Sequence, residues 1–211
     1  CQMLLSRCRS LSEMKRISRL LPSSNGSFLP PSISSYSNPV ETRRPIFHFV
    51  GSLFMENNIE AIKEYLSSVH PYINDRRYEL WIAGRVDRKE NLDFLNHYSS
   101  GLMENVRVFE SPDSLKEIYE QARLFVNPAL DSAGVKMKVL DAISNGLGVV
   151  SSADGVEGLV EPGGDSPICI CDSTESMVTS INRILPDSSL CLNMARKSQL
   201  WYRDISDFRF P

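Results

Sequence analysis

Short apolar runs alternate with stretches of helical periodicity along most of the chain. The runs begin at positions 46, 78, 106, 124, 148 and 167, and they read IFHFV, YELWIA, VRVF, LFVNP, GVVSS and PICIC. Between most of them, apolar residues recur at helical spacing, over 59–69, 92–98, 115–122 and 135–145. Because crossover helices join parallel strands, this alternation predicts an α/β fold, a doubly wound parallel sheet with helices on both faces. Two closing helices are predicted over 174–185 and 188–202.

The pattern changes at residue 46 and divides the chain into predicted parts. Apolar residues alternate with basic ones at helical spacing over 1–21, which predicts an amphipathic helix severed from a missing N-terminal domain. A basic amphipathic helix can also lie on an anionic membrane surface, so peripheral membrane contact stays open as an alternative. Residues 22–45 are rich in proline and serine and are predicted to form a linker. The folded domain is predicted over 46–203, followed by a tail over 204–211.

Composition excludes several classes of protein. The 211 residues carry a net charge of −3 and a pI near 5.7, so that no electrostatic footprint for DNA or RNA is present. No apolar run is long enough to predict a transmembrane segment. The five cysteines are odd in number and lack paired CxxC or Cys/His spacing, which argues against a disulfide scaffold and against zinc. A reducing compartment, the cytoplasm, is therefore the expected location.

The segment SAGVKMKVLDAISNGLGVVSSADGVEGL, at 132–159, carries the clearest chemical signal. Gly134 permits a tight turn whose backbone N–H groups can face an anion, and the helix behind it adds the positive end of its dipole. Apolar residues occupy one face of that helix, whereas Lys138 and Asp141 occupy an adjacent face that can contact a ligand. An ordinary crossover helix with a solvated Lys138–Asp141 pair, worth about 0.5 kcal/mol, is an equally open interpretation of the spacing alone.

This segment and three others resemble the group 1 retaining glycosyltransferases of the GT-B fold. The other blocks are HFVGSLFMENNIEAIKEYL at 48–66, ELWIAG at 79–84 and NVRVFESPDSLKEIYEQARLFVNPAL at 105–130, and VVSSADGVEGL at 149–159 closes the segment itself. They occur in the family's order and cover about residues 46–203, which correspond to the Rossmann-like, donor-binding C-terminal half of such an enzyme. The resemblance implies transfer of a sugar from a nucleotide diphosphate sugar to an unknown acceptor, with retention and without a metal or other cofactor. It also implies that the acceptor-binding N-terminal half is missing, so that this chain alone is inactive.

The resemblance also assigns roles to residues in four turns at the ends of strands. Asp141 takes the position of the acidic residue that holds the ribose hydroxyls, and a carboxylate can accept both hydroxyls in charge-assisted hydrogen bonds. The other family acid falls on Ala133, so Asp131 is a candidate substitute, and Lys136 is a candidate to neutralise the leaving diphosphate. The implied substrate-binding residues are Gly51, Ser52, Arg85, Ser111, Ser132, Gly134, Val135, Lys136 and Asp141.

Two departures from the family keep other functions open. Many members carry an arginine at the position of Ser52 and a lysine near Asn57 or Asn58, and this chain has neither. Together with Ala133, this favours a noncatalytic nucleotide-sugar-binding or interaction module as the alternative function. A doubly wound domain unrelated to sugars, such as half of a dehydrogenase, would carry GxGxxG after its first strand, whereas GSLFME stands there.

Overall fold

The computed structural model describes residues 46–75, 77–87, 92–94, 104–129, 137–157, 159 and 166–206, with only the backbone described for 46–50 and 204–206. The predicted helix over 1–21 and the predicted linker over 22–45 lie outside these residues. So does most of the turn that leads into the anion-binding helix, residues 130–136. The domain boundaries therefore stay predictions.

Six parallel strands form one sheet. They are β1 (Ile46–Val50), β2 (Glu79–Gly84), β3 (Val106–Glu110), β4 (Leu124–Asn127), β5 (Gly148–Ser152) and β6 (Ile168–Cys171). Their order across the sheet is β3-β2-β1-β4-β5-β6, and every neighbouring pair is parallel. The predicted doubly wound parallel sheet is confirmed, and its order is that of the Rossmann fold.

Five α-helices connect or follow the strands in the described part of the chain. They are α1 (Glu56–Ser68), α2 (Lys116–Gln121), α3 (Met137–Ser144), α4 (Thr174–Ile184) and α5 (Ser188–Ser206). Helix α1 begins three residues before the apolar pattern does, because its first turn consists of the polar residues Glu56, Asn57 and Asn58. The stretch predicted to be helical over 92–98 is described only at 92–94. No helix of the described ranges is both long and apolar enough to cross a membrane.

The central strands are buried on both faces, as a parallel sheet requires. Side chains alternate along β4, so that Leu124 and Val126 pack beneath α1 and α4 while Phe125 packs beneath α2 and α3. Phe125 is fully buried, and burial of a side chain of this size contributes about 1.5–3 kcal/mol. Two apolar cores therefore fix the sheet between its helices and leave the ends of the strands for function.

Helix α5 contributes to both cores, with Cys191 and Ala195 on the α4 side and Trp201 and Tyr202 on the α3 side. Its Ser198 hydroxyl donates to Leu147 O at 2.6 Å, immediately before β5 begins. A Cβ at Gly148 would lie 2.7 Å from the Cβ of Met194 on the same helix, so the absence of a side chain lets α5 lie directly on the first residue of β5. This contact holds α3 and its polar face in place, because α5 packs on both α3 and β5.

Candidate functional site at the switch point of the sheet

The strand order reverses between β1 and β4. The chain moves from β1 to β2 and β3 on one side, and then from β4 to β5 and β6 on the other. In open α/β sheets, ligands bind outside the carboxyl ends of the strands at such a switch point. The turns that follow β1 and β4 therefore bound the candidate site, and α3 begins at its edge.

The turn after β1 is held rigidly against the end of β2. Its backbone continues the strand pairing, since Gly51 N donates to Ala83 O at 3.0 Å and Leu53 N donates to Arg85 O at 2.8 Å. A Cβ on Gly84 would overlap Gly51 O, so this close approach is possible only because residue 84 is glycine. The predicted ligand residues Gly51 and Ser52 are both partly buried in this turn.

The Asn58 side chain connects the two sides of the switch point. Its Nδ2 donates to Ser52 O at 3.0 Å, and its Oδ1 accepts a hydrogen bond from Lys138 Nζ at 3.2 Å. Asn58 lies in the first turn of α1 and Lys138 in the first turn of α3, and both are partly buried. One carboxamide thus fixes the lysine of the second helix against the turn of the first strand.

Arg85 lies at the outer edge of this region. Its side chain is 75 % exposed, its Nε lies 3.3 Å from an Asp87 carboxylate oxygen, and its guanidinium carbon lies 5.6 Å from the centre of the Phe54 ring. The structure thus places this predicted ligand residue after β2 but holds its charge beside Asp87 and an aromatic face.

Ser111 lies after β3 in a left-handed backbone conformation, with φ of 46°. Its hydroxyl accepts a hydrogen bond from Val86 N at 2.9 Å, and its own N–H donates to Gly84 O at 2.8 Å. The side chain of this predicted ligand residue therefore ties the turn after β3 to the turn after β2.

Asp141 presents a carboxylate from the middle of α3 in a partly buried position. Among the described residues, none donates a hydrogen bond to this carboxylate. Its backbone carbonyl, by contrast, accepts from Ser144 Oγ and from Asn145 Nδ2, both at 2.7 Å. Burial raises the pKa of the Asp141 carboxyl, because the charged form loses hydrating water. Such a group can accept hydrogen bonds from the hydroxyls of a ligand.

The raised pKa of Asp141 predicts a stability difference in the protein without ligand. At neutral pH the partly buried carboxylate is charged, which lowers the free energy of unfolding. Protonation removes this cost as the pH falls towards the usual pKa of aspartate, about 3.9. We therefore expect Asp141→Asn to raise Tm at about pH 8 and to lose this advantage progressively as the pH falls towards about 4. Thermal unfolding across that range checks the effect, and a variant less stable than wild type at about pH 8 contradicts it.

A buried polar network joins the ends of β4 and β5. The Asn127 side chain donates to Ser151 Oγ at 3.1 Å and to Gly155 O at 3.0 Å. Ser152 Oγ donates to Ala129 O at 2.6 Å, just beyond the end of β4. Sequence reasoning missed Asn127, although a polar residue at the end of an otherwise apolar strand was a usable signal. It named Asn58 only as a position where the family's lysine is absent, and no local pattern predicts its contact with Lys138, 80 residues away.

A cavity of 340 Å³ lies at the carboxyl ends of β4, β5 and β6, beside the switch point and on the α1 and α4 side. Among the described residues that line it, Glu64, Asp154 and Asp172 carry carboxylates and none is basic. Within the described ranges, no three His, Cys, Asp or Glu side chains are grouped so that they could hold a metal ion.

Several predicted ligand residues belong to the turn that follows β4. Asp131, Ser132, Gly134, Val135 and Lys136 all lie outside the described residues, so their roles stay predictions. The structure does bring together Gly51, Ser52 and the first turn of α3 at the switch point, while Asp141 occupies the polar face of the same helix.

One curated relative shares sequence with part of the chain. It is an uncharacterized 44.6 kDa protein in the cps region of Klebsiella pneumoniae, and it is 39 % identical over 114 residues, 52 % of this chain. The chain spans 29 % of the length of that relative.

Solved structures share the fold at low sequence identity. A mutant of S. aureus TarM in complex with fondaparinux, alpha-GlcNAc-glycerol and UDP matches 93 % of this chain and 41 % of its own, with a TM-score of 0.67 and 12 % identity. The C-terminal domain of LpcC, a group 1 family glycosyl transferase of Francisella tularensis, matches 84 % of this chain and 97 % of its own, with a TM-score of 0.59 and 14 % identity. Because residues 44–187 also match the family model described as glycosyl transferases group 1, the chain belongs to the group 1 glycosyl transferases, with the Rossmann-like fold of GT-B enzymes.

Proposed function

We propose that this chain is the donor-binding domain of a retaining glycosyltransferase, which transfers a sugar from a nucleotide diphosphate sugar to an acceptor. The observation that carries the proposal is the Asp141 carboxylate, which is partly buried beside the switch point and receives no hydrogen bond from the described residues. A pentose supplies two adjacent hydroxyl donors, and these would compensate the charge that burial leaves unsolvated.

The proposal assigns the diphosphate and the sugar of the donor to the turns at the switch point. The diphosphate lies beside the turn after β1, where Gly51 allows close approach of the backbone and α3 directs its positive end towards the crevice. Negative charge grows on the diphosphate as the bond to the sugar breaks, so that fixed dipoles and cations at this place lower the barrier. Lys136 and Asp131 of the adjacent turn are proposed to face the leaving group and the sugar. The proposed reaction uses these groups without a metal ion.

Transfer needs an acceptor held in the same closed cleft. Much of the rate of a group transfer comes from holding both substrates together and from excluding water. The described elements form one Rossmann-like sheet with its helices, and the chain spans 41 % of TarM and 29 % of the Klebsiella relative. We propose that a second, acceptor-binding domain completes the enzyme and that this chain alone binds donor but transfers no sugar.

Nucleotide binding by the 211-residue chain tests the proposal. At a ligand concentration of about 100 Kd, binding stabilises the folded state by about 2.7 kcal/mol, which raises Tm by about 5–10 °C for a domain of this size. We expect UDP or GDP to give such a shift and the matching free base to give none. If neither diphosphate raises Tm at any concentration up to about 10 mM, the donor-site proposal is wrong.

A noncatalytic nucleotide-sugar-binding or interaction module is the second candidate. It is favoured by Ala133, which stands where the family has an acidic residue, and by the uncharged Ser52 and Asn58. The two functions differ in the complete protein. An enzyme cleaves the donor, in transfer or in slow hydrolysis, whereas a binding module returns the nucleotide sugar intact.

A further inference from the structure

Two cysteines of β6 direct their sulfurs to the same face of the sheet. Cys169 and Cys171 are two residues apart in an extended strand, so both side chains point towards α4. Each sulfur contacts the same hydroxyl there, since Ser180 Oγ lies 3.4 Å from Cys169 Sγ and 3.7 Å from Cys171 Sγ. The two thiols also hydrogen-bond to each other. Two thiols and a hydroxyl are thus clustered beneath α4, two strands away from the switch point.

The two thiols differ in exposure and in proton affinity. Cys171 is 3 % exposed, whereas Cys169 is only partly buried on the last strand of the described sheet. The hydrogen bond from Cys171 lowers the pKa of the Cys169 thiol against the opposing effect of burial, and Ser180 and the Arg183 guanidinium act in the same direction as Cys171. The hydrogen bond to Cys169 and burial raise the pKa of Cys171. Cys171 therefore keeps its proton and donates it to the Cys169 sulfur, which carries the charge.

A partly exposed thiolate beside a cation is the form of cysteine that reacts as a nucleophile. Cys191 of α5 is the opposite case. It is 1 % exposed, its Sγ donates to Ile184 O at 3.2 Å, and burial raises the pKa of its thiol to about 11. The surroundings of the cysteines in the described ranges therefore distinguish Cys169 from the other two.

We propose that Cys169 is a site of reversible thiol modification, which forms a mixed disulfide with a small anionic disulfide such as oxidised glutathione. The Cys169 thiolate attacks one sulfur of the reagent, a new S–S bond forms as the reagent's own S–S bond breaks, and the leaving thiolate takes a proton from water. The protein thiol is oxidised and half of the reagent is reduced to a thiol, so no further oxidant is needed. The positive charge of Arg183 favours a reagent that carries carboxylates.

The strand geometry makes the mixed disulfide the product, because Cys171 cannot displace the bound group. Alternate Cα atoms of a strand lie about 6.6 Å apart, and their Cβ atoms point the same way at a similar separation. A disulfide needs Cβ atoms about 3.5–4.5 Å apart. Cys169 and Cys171 therefore cannot form a disulfide with each other while β6 stays paired with β5 along its length.

Site-resolved mass spectrometry of the 211-residue chain tests the proposal. In a Cys1→Ser, Cys8→Ser background, oxidised glutathione at about pH 7 should add one glutathionyl group to Cys169 and none to Cys191. The rate of Cys169 alkylation by iodoacetamide should rise less than about twofold between about pH 7.5 and 9, whereas a thiol with the usual pKa of about 8.5 becomes about eightfold faster.

Replacement of Cys171 tests its role as the positioning residue. Cys171→Ala removes the donor, so the alkylation rate of Cys169 at about pH 7 should fall at least about fivefold and gain the steep pH dependence of an ordinary thiol. Cys171→Ser keeps a hydrogen-bond donor of similar size and should retain most of the rate. A loss of packing alone would not give this difference in the pH profile.

Arg183→Gln is an independent variant at an exposed position. It should slow the reaction of Cys169 with oxidised glutathione by about two- to fivefold, the range for one exposed charge pair. Arg196→Gln, an exposed arginine of α5, is the matched control and should leave the rate unchanged. If Cys169 reacts no faster than Cys191 in the folded chain, or if an internal disulfide forms in place of the mixed one, the proposal is wrong. Cys171→Ala and Arg183→Gln variants that both react like wild type would contradict the activation of Cys169 by its neighbours.

Discussion

Asp141→Ala is expected to weaken nucleoside diphosphate binding by about 100-fold. The carboxylate would lose its hydrogen bonds to the two pentose hydroxyls, and 100-fold corresponds to about 2.7 kcal/mol, within the range for hydrogen bonds to a charged group. Folding should not suffer, because the Asp141 side chain receives no hydrogen bond from the described residues and burial disfavours its charge. Isothermal titration calorimetry with UDP and GDP measures the effect directly.

Glu117→Ala is the matched control for this experiment. Glu117 is an exposed carboxylate in the first turn of α2, away from the switch point. It should leave the affinity for nucleotide unchanged. If an Asp141→Ala variant is folded and binds nucleotide as tightly as wild type, the proposed contact between the pentose and Asp141 is wrong.

Gly84→Ala is expected to lower the free energy of unfolding by about 3 kcal/mol and Tm by about 10 °C. The added methyl group would overlap Gly51 O, which is backbone and cannot rotate away as a side chain can. The turn after β1 must then move off the end of β2, breaking the bond from Gly51 N to Ala83 O. Because this turn bounds the proposed phosphate position, nucleotide affinity should fall together with stability.

Gly146→Ala separates the effect of the clash from the general cost of replacing a glycine. Gly146 has φ of 69°, and a Cβ there would meet nothing closer than Gln199 Nε2 at 3.4 Å. We expect a loss of about 1 kcal/mol from the left-handed conformation alone and no change in nucleotide affinity. Chemical denaturation of both variants measures the difference, and equal losses would contradict the packing assigned to Gly84.

The sheet could be predicted from the sequence because its signal is local. Runs such as LFVN and GVVSS are apolar on both faces, which only a covered parallel strand explains, and their alternation with helices restricts the topology. The ends of the helices were harder to predict from the sequence. Helix α5 continues to Ser206, four residues beyond the predicted end, because no proline or glycine stops it after Tyr202.

The site was only partly predictable, because its geometry depends on contacts between distant residues. The positions of Gly51, Ser52 and Asp141 at the ends of strands or on one helix face follow from periodicity and from the family pattern. The contact between Asn58 and Lys138 joins residues 80 positions apart and depends on how α1 and α3 sit across the switch point. The Ser111 side chain holds its own turn through a hydrogen bond from Val86 N, a contact between residues 25 positions apart that the local pattern does not predict.

The most direct test of the account is a crystal structure of this chain with the nucleoside diphosphate that binds it. The account predicts electron density for the diphosphate beside Gly51 and Ser52. It also predicts both pentose hydroxyls within hydrogen-bond distance of the Asp141 carboxylate. A nucleotide bound elsewhere, or one bound at the switch point with its pentose turned away from Asp141, would contradict it.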